Sequence, residues 1–143
     1  MTELTGGCQC GAVRWHHSGT FIRHLICHCE SCRRATSSAF AAFVGTRSEN
    51  VTWSGEINHL ETSPGARRGF CPTCGTRLYF RSDRWPGELH IHLGALDDPS
   101  PYRPDAHVVL AEKIDWVTLA DTVAKRDGFS MAPAAKLSVG DNG

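Results

Sequence analysis

Cys27-His28-Cys29-Glu30-Ser31-Cys32-Arg33-Arg34 gathers three thiols and two guanidinium groups into eight consecutive residues. Three thiolates held this close repel one another unless a cation sits between them, and zinc bound by cysteine sulfur is the common solution in a small protein. A further cysteine pair lies on each side of the cluster. Cys8-Gln9-Cys10 places thiols at i and i+2, which on an extended segment face the same side of the backbone. Gly6, Gly7 and Gly11 around that pair leave the chain free to bend into a metal loop. Cys71-Pro72-Thr73-Cys74-Gly75 reads as a knuckle, because its two-residue spacing lets both sulfurs reach one ion while Pro72 and Gly75 suit the tight turn.

A closed tetrahedral zinc site takes four ligands, and seven cysteines leave a remainder of three. Cys8, Cys10, Cys71 and Cys74 would make the closed site, and Cys27, Cys29 and Cys32 would hold a second zinc with its fourth position open. Spacing also permits a zinc ribbon of Cys29, Cys32, Cys71 and Cys74. That partition leaves Cys8, Cys10 and Cys27 without an obvious shared geometry. Disulfides are the poorer use of an odd number of thiols.

The N-terminal MTELTGGCQCG has neither a basic nor an apolar leader region, and the longest apolar run, Ala39 to Val44, is too short to span a bilayer. The expectation is a soluble, cytoplasmic protein that does not enter membranes. Lys plus Arg and Asp plus Glu both number 15, and this zero net charge argues against a general nucleic-acid binder. At 143 residues and 41% hydrophobic, the chain suffices for one domain with a real core.

The pattern is mainly β. Alternating, β-branched or aromatic runs recur at Ala12 to His16, Phe21 to Cys27, Phe40 to Val44, Val51 to Trp53, Ile57 to Thr62, Arg77 to Arg81 and Glu88 to Leu93, with turn signals such as Ser54-Gly55 and Pro86-Gly87 between them. Many short strands predict antiparallel sheets in a sandwich or partly open barrel. The helical signal is weak throughout: Val117 to Lys125 could make a short helix, though Trp116-Val117-Thr118-Leu119 could equally close a strand. The division expected is one zinc-binding β domain over 1–124, followed by a small, polar, mobile or loosely docked tail over 125–143.

Three motifs together carry a family resemblance: Gly7-Cys8-x-Cys10-Gly11-x-Val13-Arg14, then Cys27-His28-Cys29-x-x-Cys32-Arg33-Arg34 with Ser37-Ser38-x-Phe40, then Arg68-x-Phe70-Cys71-x-x-Cys74-Gly75-Thr76-x-Leu78. In this order they resemble the glutathione-dependent formaldehyde-activating enzymes, the S-(hydroxymethyl)glutathione synthase type, and Leu96-Asp97-Asp98-Pro99 and His107 to Trp116 extend the likeness over residues 5 to 118. The resemblance implies an Mss4-like arrangement of antiparallel sheets with a four-cysteine structural zinc and a three-cysteine second zinc. Its substrates would be glutathione and formaldehyde.

Zinc with three thiolates is a poor generator of hydroxide, but its soft open position suits a fourth thiolate. A substrate thiol taken up there becomes a positioned nucleophile for an aldehyde, or the leaving group when a thiol–aldehyde adduct is cleaved. A carbon–sulfur lyase acting on a small thiol adduct, such as a glutathione conjugate, follows. Cys27, Cys29 and Cys32 are its catalytic candidates. Arg33 and Arg34 would offset the added negative charge or bind a substrate carboxylate, unless they lie on the surface or pair with Glu30. The competing function is a non-catalytic zinc module that recognises a protein or nucleic acid.

His28 reads as a packed imidazole pointing away from its flanking cysteines. His90 and His92 read as a partly exposed sheet face, Asp97-Asp98-Pro99 as a turn or a base over the second zinc, and the scattered aromatic residues mostly as core.

Overall fold

The computed structural model describes residues 2–129, and within them the chain is mainly β. In chain order the first elements are β1 (Thr2–Gly7), β2 (Arg14–Gly19), β3 (Arg23–Cys27), helix α1 (Glu30–Thr36), β4 (Ala41–Arg47) and β5 (Val51–Ser54). There follow β6 (Asn58–Ser63), β7 (Ala66–Phe70), β8 (Arg77–Ser82), β9 (Glu88–His92), β10 (Ala106–Val108) and β11 (Ala124–Lys125). A small antiparallel sheet has the order β1-β2-β5, and a large sheet runs β11-β10-β3-β4-β9-β8-β7-β6. Every pairing in the large sheet is antiparallel except those that β10 makes with β3 and β11.

Period-two alternation splits the large sheet into two buried faces. Val44 on β4 lies opposite Ile91 on β9, and both point to a core shared with Leu4, Val13, Trp15 and Val51 from the small sheet and its connections. The next pair, Phe43 and His92, points the other way, toward Leu25, Ala106, Val108 and the cysteines Cys27 and Cys32. Val44 and Ile91 are fully buried, and each such side chain contributes about 1.5–3 kcal/mol relative to exposure.

Because β9 is central and covered on both faces, it is buried along its whole length. This corrects the expectation for His90 and His92, which are core residues and not a partly exposed face.

Neither the short helix considered at Val117 to Lys125 nor a strand at Trp116 to Leu119 forms. Lys113 Nζ donates to the Ile114 and Val117 carbonyls, and Asp121 turns the chain by accepting from Val123 N. Ala124–Lys125 then pairs with β10 as β11. Residues 125–129 lie alongside the end of β10, with Arg126 N donating to the His107 carbonyl and Val109 N to that of Gly128. The remainder of the expected tail falls outside the described residues. Among the described residues no helix is long and apolar enough to cross a membrane.

Candidate metal centres and active site

Two loops meet at the first centre. The β1–β2 connection carries Cys8 and Cys10, the β7–β8 connection carries Cys71 and Cys74, and the four Sγ atoms lie within 4.8 Å of one another. Each loop is closed by its own backbone: Cys8 N donates to the Val13 carbonyl, and Cys71 N to that of Thr76. Gly11 (φ +83°) and Gly75 (φ +79°) take the left-handed conformations that these tight turns need.

Zinc–sulfur bonds of about 2.3 Å in a tetrahedron place sulfurs about 3.8 Å apart. The Cys8–Cys10 and Cys10–Cys71 separations of 3.5 and 3.9 Å fit that geometry. Backbone N–H groups of Val13 and Thr73 already donate to Cys8 and Cys71 sulfur, as they would to thiolates. The Thr76 hydroxyl, followed by its backbone N–H, holds the Cys74 thiol down at about 5.

Cys27, Cys29 and Cys32 form the second centre, again within 4.8 Å, and among the described residues no fourth ligating side chain joins them. Each comes from a different local geometry. Cys27 ends β3, clamped between Ala41 of β4 and Val108 of β10. Cys29 is the N-cap of α1, where its sulfur accepts from Cys32 N at 3.3 Å, and Cys32 lies in the first helical turn. No sequence signal announces this helix, because it spans only seven residues and its capping atom is a sulfur, not the usual Ser, Thr, Asp or Asn oxygen. Hydrogen bonds from Cys27 and then Cys32 pull the Cys29 thiol down to about 2, with Cys32 N–H and the Arg68 charge helping. Cys27 moves the opposite way, raised by its bonds with Cys29 and Cys32 and by burial.

These three sulfurs line a cavity of about 390 Å³ whose walls include Phe43, Phe80, Trp85 and Phe129. Two buried arginines share it. Arg23 on β3 spends itself on Glu88: Nη2 donates to Oε2 at 3.2 Å, and Nε approaches Oε1 at 2.8 Å without hydrogen-bond alignment. Arg68 on β7, which the sequence reading quoted but gave no role, stacks over the Phe80 ring at 4.7 Å. Its Nη2 donates to Ser31 Oγ at 2.9 Å and lies 3.7 Å from Cys32 Sγ, while among the described residues Nε and Nη1 find no acceptor.

Arg33 and Arg34 do not line that cavity. Arg33 Nη1 donates to the His28 carbonyl at 2.7 Å and also to that of Glu112, holding the cysteine loop against the segment after β10. Arg34 pairs with Glu30 one turn back on the exposed face of α1. His28 is fully buried and turned away from the thiols, and burial pushes it down to about 4, so it is neutral at pH 7. Asp97 is held by Arg14 and Thr5 beside the first centre, and Asp98 by Ser100, so neither carboxylate reaches the second. Most aromatic residues are core or cavity wall, but Trp116 is 73% exposed.

Residues 3–112 match the family model described as glutathione-dependent formaldehyde-activating enzyme. The chain belongs to that family. A putative glutathione-dependent formaldehyde-activating enzyme of Halomonas elongata is 33% identical over 131 residues, covering 81% of this chain and 80% of the relative. An uncharacterized lyase of Schizosaccharomyces pombe is 31% identical over 121 residues, covering 85% and 88%. A crystal structure of a Rhodobacter sphaeroides protein shares the fold, with a TM-score of 0.57 at 23% identity over 68% of this chain and 94% of its own. The family match takes in all seven cysteines and Arg68 and stops before Asp121 and Phe129, which reach the same region from beyond it.

Proposed function

We propose that this protein is a zinc-dependent carbon–sulfur lyase that joins glutathione to formaldehyde and cleaves the resulting S-hydroxymethyl adduct. The observation that carries the reading is the contrast between the two cysteine clusters. Cys8, Cys10, Cys71 and Cys74 could make a complete four-ligand set, whereas among the described residues Cys27, Cys29 and Cys32 stop at three and line a cavity. Zinc held by those three would offer a soft fourth position where a substrate thiol loses its proton. Cys27, Cys29 and Cys32 would bind and orient the reacting centre, with Phe43, Phe80, Trp85 and Phe129 forming apolar walls beside it.

The substrate sulfur attacks the aldehyde carbon, a carbon–sulfur bond forms, and the carbonyl π pair moves onto oxygen. That oxygen takes up one proton, equal to the one the thiol released, so no oxidant or reductant is consumed. Cleavage is the same step reversed. The relatives named as a formaldehyde-activating enzyme and a lyase support an enzyme of this type.

Exchange spectroscopy of zinc-loaded protein with glutathione and formaldehyde tests the reading. Adduct formation and cleavage should exceed the spontaneous rates, and Cys29→Ser should lose that excess while remaining folded. A zinc-loaded wild type that accelerates neither direction would sink the proposal and favour a binding module.

A further inference from the structure

We infer that Arg68 is the positioning residue that seats the anionic sulfur of the substrate beside Cys27, Cys29 and Cys32. The inference rests on the functional reading above and supplies the cation that the reading lacks.

Arg68 is only 2% exposed, yet no carboxylate among the described residues pairs with it. A buried guanidinium without an anion is costly, and native structures retain one only where negative charge reaches it from somewhere. Arg23 lines the same cavity and shows the ordinary arrangement, with its charge matched by Glu88. Among the described residues the carboxylate that lines this cavity is Asp83, and it is taken by Arg67 at 3.0 Å. His92 offers no negative charge either, since burial, and then the Arg68 and Arg77 charges, push it down to about 3. The negative charge left for Arg68 is that of sulfur, which its Nη2 already approaches. The Nη2 amino group already donates to Ser31 Oγ and lies 3.7 Å from Cys32 Sγ, and among the described residues Nε and Nη1 remain without acceptors.

The fork is held rigid for this purpose. Arg68 lies directly across the β7–β8 ladder from Phe80 and stacks on its ring, and Ser31 fixes the Nη2 edge from the first turn of α1. A lysine would keep the charge but lose the planar stack and the forked donors. When a thiol enters as a fourth sulfur, the cluster gains one negative charge, and a fixed cation already in place offsets it without reorganisation.

The test measures binding of glutathione and of S-methylglutathione to zinc-loaded wild type, Arg68→Met, Arg68→Lys and Ser31→Ala by calorimetry, with zinc retention against a chelator as a second readout. Arg68→Met should weaken glutathione binding by about tenfold or more, the size expected for a charge-assisted hydrogen bond. It should leave S-methylglutathione, whose sulfur cannot ionise, unchanged. Arg68→Lys should recover part of the loss. Ser31→Ala, at an exposed position that should not disturb folding, should weaken glutathione about two- to fivefold by releasing one edge of the fork.

Equal loss of both ligands would place Arg68 on a glutathione carboxylate and overturn the sulfur seat. Thiol binding by wild type that Arg68→Met and Ser31→Ala leave intact would overturn the Arg68 assignment alone. A zinc-loaded wild type that binds no thiol would overturn this assignment and the functional reading together.

Discussion

His28 Nε2 lies 3.0 Å from His107 Nδ1, a buried contact that ties the cysteine loop to β10. His107 Nε2 lies 2.8 Å from Asp121 Oδ2, and a carboxylate can only accept, so Nε2 carries the proton. In the neutral imidazole His107 Nδ1 is then the acceptor, and His28 Nε2–H donates to it. That tautomer leaves His28 Nδ1 as a bare lone pair, which agrees with its having no partner among the described residues. A chain of three side chains thus runs from Asp121, beyond the family-matched residues, to the backbone between Cys27 and Cys29.

The same geometry sets a pH signature for Asp121. Its hydrogen bond from His107, with Lys125 adding, holds it at about 2 against an ordinary value of 3.8. A depressed carboxylate contributes stability that is present above its unfolded pKa and lost as pH falls through the folded one. Asp121→Asn should therefore lower the Tm by about 2–4 °C at pH 7, with the difference shrinking between about pH 4 and pH 2. Thermal melts of both proteins across that range measure it. A gap that stays constant down to pH 2 would remove the charged His107–Asp121 bond as its cause.

The two cysteine clusters should separate when single thiols are removed. Cys71 is fully buried and joins loops that start more than sixty residues apart in sequence, so Cys71→Ser should unfold the protein or lower its Tm sharply. Cys29→Ser should keep the fold and lose one of two zinc equivalents. Metal analysis with circular dichroism distinguishes the outcomes, and equal Tm values for the two variants would mean that the clusters do not differ in role.

Arg23 and Glu88 offer a test of charge balance in the cavity wall. Glu88 is buried to its side-chain oxygens, bound by Arg23 and by His90 Nε2 at 2.7 Å. Glu88→Gln leaves the Arg23 cation uncompensated and should cost about 3–5 kcal/mol in urea unfolding. An Arg23→Met, Glu88→Leu double variant removes both charges and should recover most of that loss. A cost for Glu88→Gln below about 1 kcal/mol would mean that water reaches the pair.

What could be read from sequence followed how local each signal was. The grouping of Cys8, Cys10, Cys71 and Cys74 apart from Cys27, Cys29 and Cys32 was legible because thiols that could share an ion advertise themselves by type and spacing, and most strands showed in their alternation. β7, Ala66–Phe70, was not, because its Arg67-Arg68-Gly69 reads polar, although Arg68 and Gly69 are buried. Nor was the cationic partner of the thiols. Arg33 and Arg34 stand next to Cys32 in sequence, but α1 turns Arg34 outward and Arg33 onto main-chain carbonyls. Arg68 arrives through sheet pairing from 36 residues away, a contact that no local pattern encodes.

Phe129 gives the last prediction, because it adds a cavity wall from outside the family-matched residues. Its position is set by backbone bonds: Leu110 N donates to the Arg126 carbonyl and Val109 N to that of Gly128, which aligns this segment with the end of β10. The ring meets Trp85 edge-on at 5.8 Å and lies under the Arg84 guanidinium at 4.4 Å. Phe129 is 55% exposed, so the ring contributes more to the shape of the cavity than to the stability of the fold. Phe129→Ala should leave the Tm nearly unchanged while enlarging the cavity mouth. Discrimination between formaldehyde and a bulkier aldehyde should relax, with the ratio of their kcat/KM values moving about fivefold toward the bulkier one, as expected for about 1 kcal/mol of lost wall contact. Steady-state rates with formaldehyde and butyraldehyde in the presence of glutathione read this directly. If the ratio does not move, the wall that Phe129 supplies does not select the aldehyde.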